Sequence, residues 1–357
     1  MTDILIIGGG IAGLSAAAAL SAHANVTLLE AEPNLGYHAS GRSAATYLSE
    51  YGNGMVRVLN HASKQELNRI DGGVLKKRGM LLLARPNERQ DFLDEIRPFK
   101  MNEISMEDAR ALVPILHPIN TAYAAFRDDV YDLDADRMLQ HYTKTARRNG
   151  ADIVTGAKVS KISKTAKQWE ILAGQTLYNA DILVNASGAW VDEIARLAGV
   201  SPLGFQPYRR SMARIPAPNG HDVSAWPFLD AVNERWYGKP DAGSWIVSPF
   251  EEHPVDPHDA WADDLVLAEG LDRYSEMVTA PVTRLQSSWA GLRTFSPDRA
   301  LVIGVDATDP SFYWLAGQGG YGFQTAPAAS ILLADLMLGR RTELGDEAVN
   351  ALSPQRF

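Results

Sequence analysis

Three glycines, Gly8, Gly10 and Gly13, stand at GxGxxG spacing directly after the apolar run Asp3-Ile4-Leu5-Ile6-Ile7. At that spacing each glycine has its own use. The first permits a tight strand-to-helix turn, the second lets a pyrophosphate approach the backbone, and the third lets the helix lie close on the sheet. The unpaired N–H groups and positive dipole end of the helix that follows would face the phosphates. A second apolar run, Val26-Thr27-Leu28-Leu29, ends on Glu30, at the distance where a carboxylate meets a ribose diol. An acid there favours a 2′-hydroxyl over a 2′-phosphate, so the residues point to a dinucleotide, FAD or NAD sooner than NADP.

The elements that must position these residues follow from the same stretch. A short continuous apolar run reads as a strand buried on both faces of a parallel sheet. An alanine-rich stretch over about 11–22 reads as the helix. Much later, Trp314-Leu315-Ala316-Gly317-Gln318-Gly319-Gly320-Tyr321-Gly322 repeats the pattern of strand, glycine turn and helix, the helix beginning near Gln324. Its dipole end would stabilise the negative charge of a reduced flavin. Between them, a helix opens at Asp134 and stops before Gly150, a strand-rich stretch covers 151–179, and the apolar strand 182–184 leads into Ala186-Ser187-Gly188-Ala189-Trp190.

Bulk properties narrow the function classes. At 357 residues, with 46% hydrophobic and 22% charged residues, the chain reads as a globular protein of two domains sharing an interface. The formal net charge of -9 gives no footprint for nucleic acid or an anionic membrane. With no cysteine, disulfides, metal–thiolate sites and a cysteinyl flavin link are excluded by inventory. The eight histidines lack metal-ligand spacing, and no metal is expected. The run 14–20 superficially resembles a signal peptide, but Asp3 stands where a basic residue belongs and Gly8-Gly9-Gly10 interrupts the apolar stretch. No apolar run of about 18 residues exists, so the expected location is cytoplasmic.

The segments Gly36-Tyr37-His38, 40–45, 184–190, Lys239-Pro240-Asp241-Ala242-Gly243, Trp289-Ala290-Gly291-Leu292-Arg293 and 318–321, in that order, resemble the D-amino acid oxidase-like FAD oxidoreductases. The likeness runs from about Ile4 to Thr325, and within the family it is greatest to bacterial FAD-dependent D-arginine dehydrogenase. It implies an α/β (α+β) fold: a Rossmann-like FAD-binding domain over 1–46, 138–200 and 296–357. This is interleaved with a smaller substrate domain over 47–137 and 201–295, built on a mixed or antiparallel sheet. It also implies non-covalent FAD, contacted by Gly8, Gly10, Ala12, Gly13, Glu30, Ala31, Ser40, Gly41, Arg42, Ser43, Ala44, Ala45, Thr46, Val159, Gly188, Gly319, Gly320, Tyr321, Gly322, Phe323 and Gln324.

The resemblance makes Arg293 the clamp of a substrate α-carboxylate and Arg210 a second cationic wall, with Tyr237 and Tyr51 bonding the carboxylate or shaping a lid. Arginine suits that task because its planar fork meets a carboxylate with two parallel hydrogen bonds. No residue stands out as a general base, and a neutral substrate amine needs none. The implied reaction is oxidative deamination of a D-amino acid by hydride transfer from Cα to the flavin, giving an imino acid that hydrolyses to a 2-oxo acid. Met80 and Tyr321 fall at the substrate side chain. Arginine-using relatives carry an acid where Met80 stands, so a neutral or apolar side chain is expected over arginine and lysine. Thr46 replaces a histidine of that relative. The expected partner is a small amino acid, the protein being a monomer or homodimer, and the electron acceptor (quinone, dye or oxygen) is not fixed. Oxidation of an N-substituted amino acid, an NAD-dependent dehydrogenase and a non-catalytic flavin-binding subunit are the alternatives.

Overall fold

The computed structural model describes residues 2–357. Strand β1 (Asp3–Ile7) lies between β2 (Asn25–Leu29) and the strand Ile182–Asn185, all parallel. Ile4, Leu5, Ile6 and Ile7 are all buried, which is why the run has no polar alternation. Phe312–Ala316 extends the sheet in parallel on one side, with antiparallel Val302–Val305 outside it, and Asp152–Val154 closes the other edge.

Helix α1 (Ile11–Leu20) crosses this sheet. A Cβ on Gly13 would stand 1.9 Å from the Gly8 carbonyl oxygen, so the helix rests directly on the turn that precedes it. The helix ends short of residue 22 because the His23 and Ala24 N–H groups both turn back to the Leu20 carbonyl, at 2.9 and 3.0 Å. The expected central helix is Ala135–Arg148, capped by the Asp134 carboxylate on the Arg137 N–H. The last glycine turn opens the helix Gly322–Met337, two residues earlier than expected, as the Thr325 N–H already reaches the Tyr321 carbonyl. That helix and Ala135–Arg148 pack on α1. The sheet's opposite side carries the antiparallel meander Val159–Lys164, Trp169–Ala173 and Thr176–Ala180.

A second, mixed sheet of nine strands stands over the first. Its longest pair, Gln206–Ile215 with Ser287–Phe295, runs antiparallel along nearly its full length. Beyond it follow Ser244–Ser248, Tyr237–Asp241 and Phe228–Ala231, the last pairing in parallel with Met80–Ala84. Strands of the first sheet fall within 1–46, 138–200 and 296–357, and those of the second within 47–137 and 201–295. A further small sheet joins Thr46–Tyr47, Tyr131–Leu133 and Leu75–Lys77. Among the described residues no helix is long and apolar enough to cross a membrane.

Candidate active site

One cavity of about 610 Å³ lies between the two sheets. Of the residues expected at the cofactor, Gly8, Gly10, Ala12, Glu30, Ala31, Ser40, Arg42, Ser43, Ala44, Val159, Gly188, Gly319, Gly320, Gly322 and Phe323 line it, and Arg210 and Arg293 line its far end. Gly13, Gly41, Ala45, Thr46, Tyr321, Gln324, Tyr51, Tyr237 and Met80 stand outside that lining. Several of these hold the wall in place. Gly41 donates to the Gly36 carbonyl at 2.6 Å, Gln324 accepts from the Leu48 N–H at 3.0 Å, and Ala45 takes a left-handed φ of 45°.

The phosphate end is built from backbone. Gly8 has φ 114°, and a Cβ there would lie 2.4 Å from the Ala186 carbonyl oxygen, so strand and crossover meet only over glycine. Glu30, expected to face a ribose, is held by backbone N–H groups at both oxygens. Its Oε2 accepts from the Gly9 N–H at 2.6 Å and its Oε1 from the Glu32 N–H at 2.8 Å, tying β2 to the turn. Ser40 Oγ accepts from the Ile11 N–H at 3.0 Å. Arg42, expected to touch the cofactor, spends its guanidinium on the carbonyls of Ala260 and Ala290 and on Asp259, pinning the segment that carries His258 and Ala260 to the cavity rim. Trp190 also lines the cavity and packs on His38, their rings 4.6 Å apart.

The other end is cationic. Arg293 faces Tyr208 in the strand register and Arg210 faces Gly291, which puts both guanidinium groups on the cavity side. Arg293 Nη1 donates to the Tyr51 hydroxyl at 3.3 Å. Its guanidinium lies flat against Gly320, where a Cβ would come within 3.1 Å of Nη1. Burial opposes the Arg293 charge, but Tyr51, Tyr237 and Glu252 outweigh it and hold its pKa above the ordinary value. Arg210 is 2% exposed. It donates to the Glu251 carbonyl at 2.8 Å and pairs with Glu252 at 3.3 Å, leaving Nη1 without a partner. Burial, and then the Arg293 charge, push its pKa down. The Arg210 guanidinium sits 4.4 Å above Phe250, which packs edge-on against Tyr237, itself stacked on Phe228. The Tyr237 hydroxyl is buried with no partner.

Two features carried no sign of their role in the sequence. Lys239 is buried against Asp132 at 2.6 Å and donates to the Ala44 carbonyl at 2.8 Å, fixing the cavity loop from the second sheet. Asp230 sits directly opposite Tyr237 in the register, on the strand that pairs Phe228 with Met80. Asp230 thus shares a sheet face with buried Met80, the residue expected at the substrate side chain. No group of histidine and acidic residues fit to hold a metal occurs among the described residues.

The residues fit a flavin dinucleotide. A glycine cradle and a helix N-terminus sit at one end and a second helix N-terminus at the other. The buried Thr294 hydroxyl, also on the lining, has no partner within the protein. The family model for FAD dependent oxidoreductases matches residues 3–336. The chain belongs to that family. Glycine oxidase of Bacillus licheniformis is 23% identical, with 94% of this chain and 93% of that one covered. Among solved structures, L-proline dehydrogenase from P. horikoshii superposes with a TM-score of 0.86 at 21% identity, covering 100% of this chain and 97% of that one. Glycine oxidase from Geobacillus kaustophilus does so at 0.84 and 20%, covering all of both. The chain spans 35% and 59% of the length of the first two curated relatives it matches. The chain is thus an FAD-dependent oxidoreductase by family.

Proposed function

We propose that this oxidoreductase deaminates a D-amino acid, the carboxylate of which is held by Arg293. One observation carries the reading: the Arg293 guanidinium lies in the wall of the cavity that both glycine turns enter, and its hydrogen bond among the described residues goes to a tyrosine, not to an acid. Two buried guanidinium groups, one with an unpartnered nitrogen, form an incomplete charge set that an α-carboxylate completes. Fixing the carboxylate with a planar fork also fixes the direction of the neighbouring Cα–H. When bound, FAD accepts the hydride from that carbon, leaving an imino acid that water hydrolyses to a 2-oxo acid.

The same two cations favour the neutral form of the substrate amine, so activity rises along an alkaline limb that belongs to the amine. Measuring kcat/KM against pH for substrates of differing amine pKa checks this, since the limb must move with the substrate. The apolar Met80 wall disfavours a guanidinium at its own position. The D series rests on the sequence resemblance, and the likeness to an L-proline dehydrogenase makes the L series the comparison arm. The test is anaerobic mixing of the FAD-loaded protein with matched D- and L-amino acids while following flavin absorbance. Bleaching by D-amino acids is expected, and bleaching by none of either series would overturn the reading. Running the same mixtures in air, with peroxide and dye reduction measured, assigns the acceptor.

A further inference from the structure

Asp230 is a carboxyl in a place where the fold supplies nothing to pair with it. It lies on the strand Phe228–Ala231, with Tyr237 opposite on one side and Leu82 on the other. Residues directly opposite in a sheet share a face, so Asp230 shares the Tyr237 face, which continues through Phe250 to Arg210. Its Oδ1 is buried without a hydrogen-bond partner, while the residue as a whole keeps part of its surface accessible. A carboxyl orphaned in this way is a desolvation cost that folding alone does not recover. Burial first, then Glu95 and Glu234, push its pKa well above the carboxylate range, with Arg210 opposing.

The strand carrying Arg210 and the strand carrying Asp230 are three spacings apart in the sheet, about 14 Å. The shared face between them carries Tyr237, stacked on Phe228 at 5.3 Å, while Met80 and Leu82 lie on the strand beyond Asp230. Such a face suits an aliphatic stem.

We propose that Asp230 selects a substrate whose side chain ends in an ammonium group, in place of the neutral or apolar side chain that Met80 alone led one to expect, the stem lying along Tyr237 and Phe228 while Arg293 and Arg210 hold the α-carboxylate. This rests on the carboxylate clamp proposed above and adds the side-chain class. An ammonium differs here from a guanidinium: a compact charge needs only the one free oxygen that Asp230 offers, whereas a planar fork would leave donors facing Met80. On binding, the ammonium becomes the partner that the Asp230 carboxyl group lacks in the protein alone.

The experiment uses the FAD-loaded protein and ligands without an α-amine, which cannot turn over. Visible difference spectra are titrated with pentanoate and hexanoate, and with 5-aminopentanoate and 6-aminohexanoate. In the native protein at least one ω-amino acid is expected to bind about tenfold or more tightly than the plain acid of its length, the range of one charge-assisted hydrogen bond. In Asp230→Asn that preference disappears. Asp230→Leu, which matches the apolar surroundings, serves as the second variant and must lose it as well. If both plain acids bind as tightly as their ω-amino counterparts, or a variant retains the preference, the assignment of Asp230 is overturned. If the plain acids bind and Arg293→Lys weakens them, the clamp stands whatever becomes of Asp230. If no carboxylate perturbs the flavin spectrum, the clamp fails and Asp230 with it.

Discussion

Arg293→Lys tests the clamp with the least disturbance, because it keeps the charge and removes only the fork. The guanidinium offers a carboxylate two parallel bonds and holds the Tyr51 hydroxyl at 3.3 Å with Nη1. Lysine offers one charged contact from a shorter, rounder head. Losing one charge-assisted hydrogen bond costs about 1.5–3 kcal/mol, which is about a 10- to 150-fold fall in kcat/KM. The loss should appear in KM and in the rate of anaerobic flavin reduction together, since the fork both binds the substrate and aims its Cα–H. Gly320 supplies an internal control. A methyl group there stands 3.1 Å from Arg293 Nη1 and 3.2 Å from Cζ, so Gly320→Ala must push the guanidinium aside by a few tenths of an ångström. That effect is expected in the native background and should shrink in Arg293→Lys, giving a non-additive double-mutant cycle. Steady-state assays with a dye acceptor, on samples matched for flavin absorbance, measure all four proteins. An Arg293→Lys enzyme that retains full FAD and stays within about threefold of the native kcat/KM would refute the reasoning.

Other perturbations probe the scaffold. Gly8→Ala combines a φ of 114° with a methyl group 2.4 Å from the Ala186 carbonyl, so the protein should purify without yellow colour or fail to fold, as absorbance and thermal melts will tell. Lys239→Met removes the buried member of the pair, leaves half-buried Asp132 with Arg78 alone and frees the Ala44 carbonyl. Breaking a buried pair of this kind costs about 3–5 kcal/mol, and a lowered Tm with faster FAD loss on dilution is expected. Asp298 has its pKa lowered to about 2: burial opposes ionisation, but Arg356, the Ala300 N–H and the Ser296 hydroxyl outweigh it. A depressed carboxyl stabilises the fold above its unfolded pKa and loses that contribution as pH falls through the folded one. Asp298→Asn should therefore lower Tm at neutral pH, with the gap to the native protein closing as pH falls from about 4 toward 2.

The parts of this site legible in the sequence are those in which local pattern and function coincide. The run 3–7, the spaced glycines and Glu30 form one continuous unit whose chemistry is written within thirty residues, and the turn at 317–322 repeats it. Asp230 could not be read that way. In Phe228-Leu229-Asp230-Ala231 the alternation looks like a strand with its polar side toward water. Only the pairing with Met80–Ala84, far away in the chain, turns that side toward the interior. Arg42 lines the cavity, but its partner Asp259 lies in a loop of the other half, and that pairing could not be read from the sequence. Lys239 sits within a segment that marked the family, yet its bond to the Ala44 carbonyl depends on two sheets meeting.

The cavity wall draws on Gly8 and Gly10, on Val159 and Gly188, and again on Gly319 and Gly320. A chain emerging from the ribosome therefore completes this cavity wall only once residue 320 has cleared the exit tunnel, long after Gly8 and Gly10. Until then the early strand and helix wait with an unfilled cradle. Flavin supply should accordingly govern how much of the newly released protein reaches its stable form, and not how quickly its first elements appear.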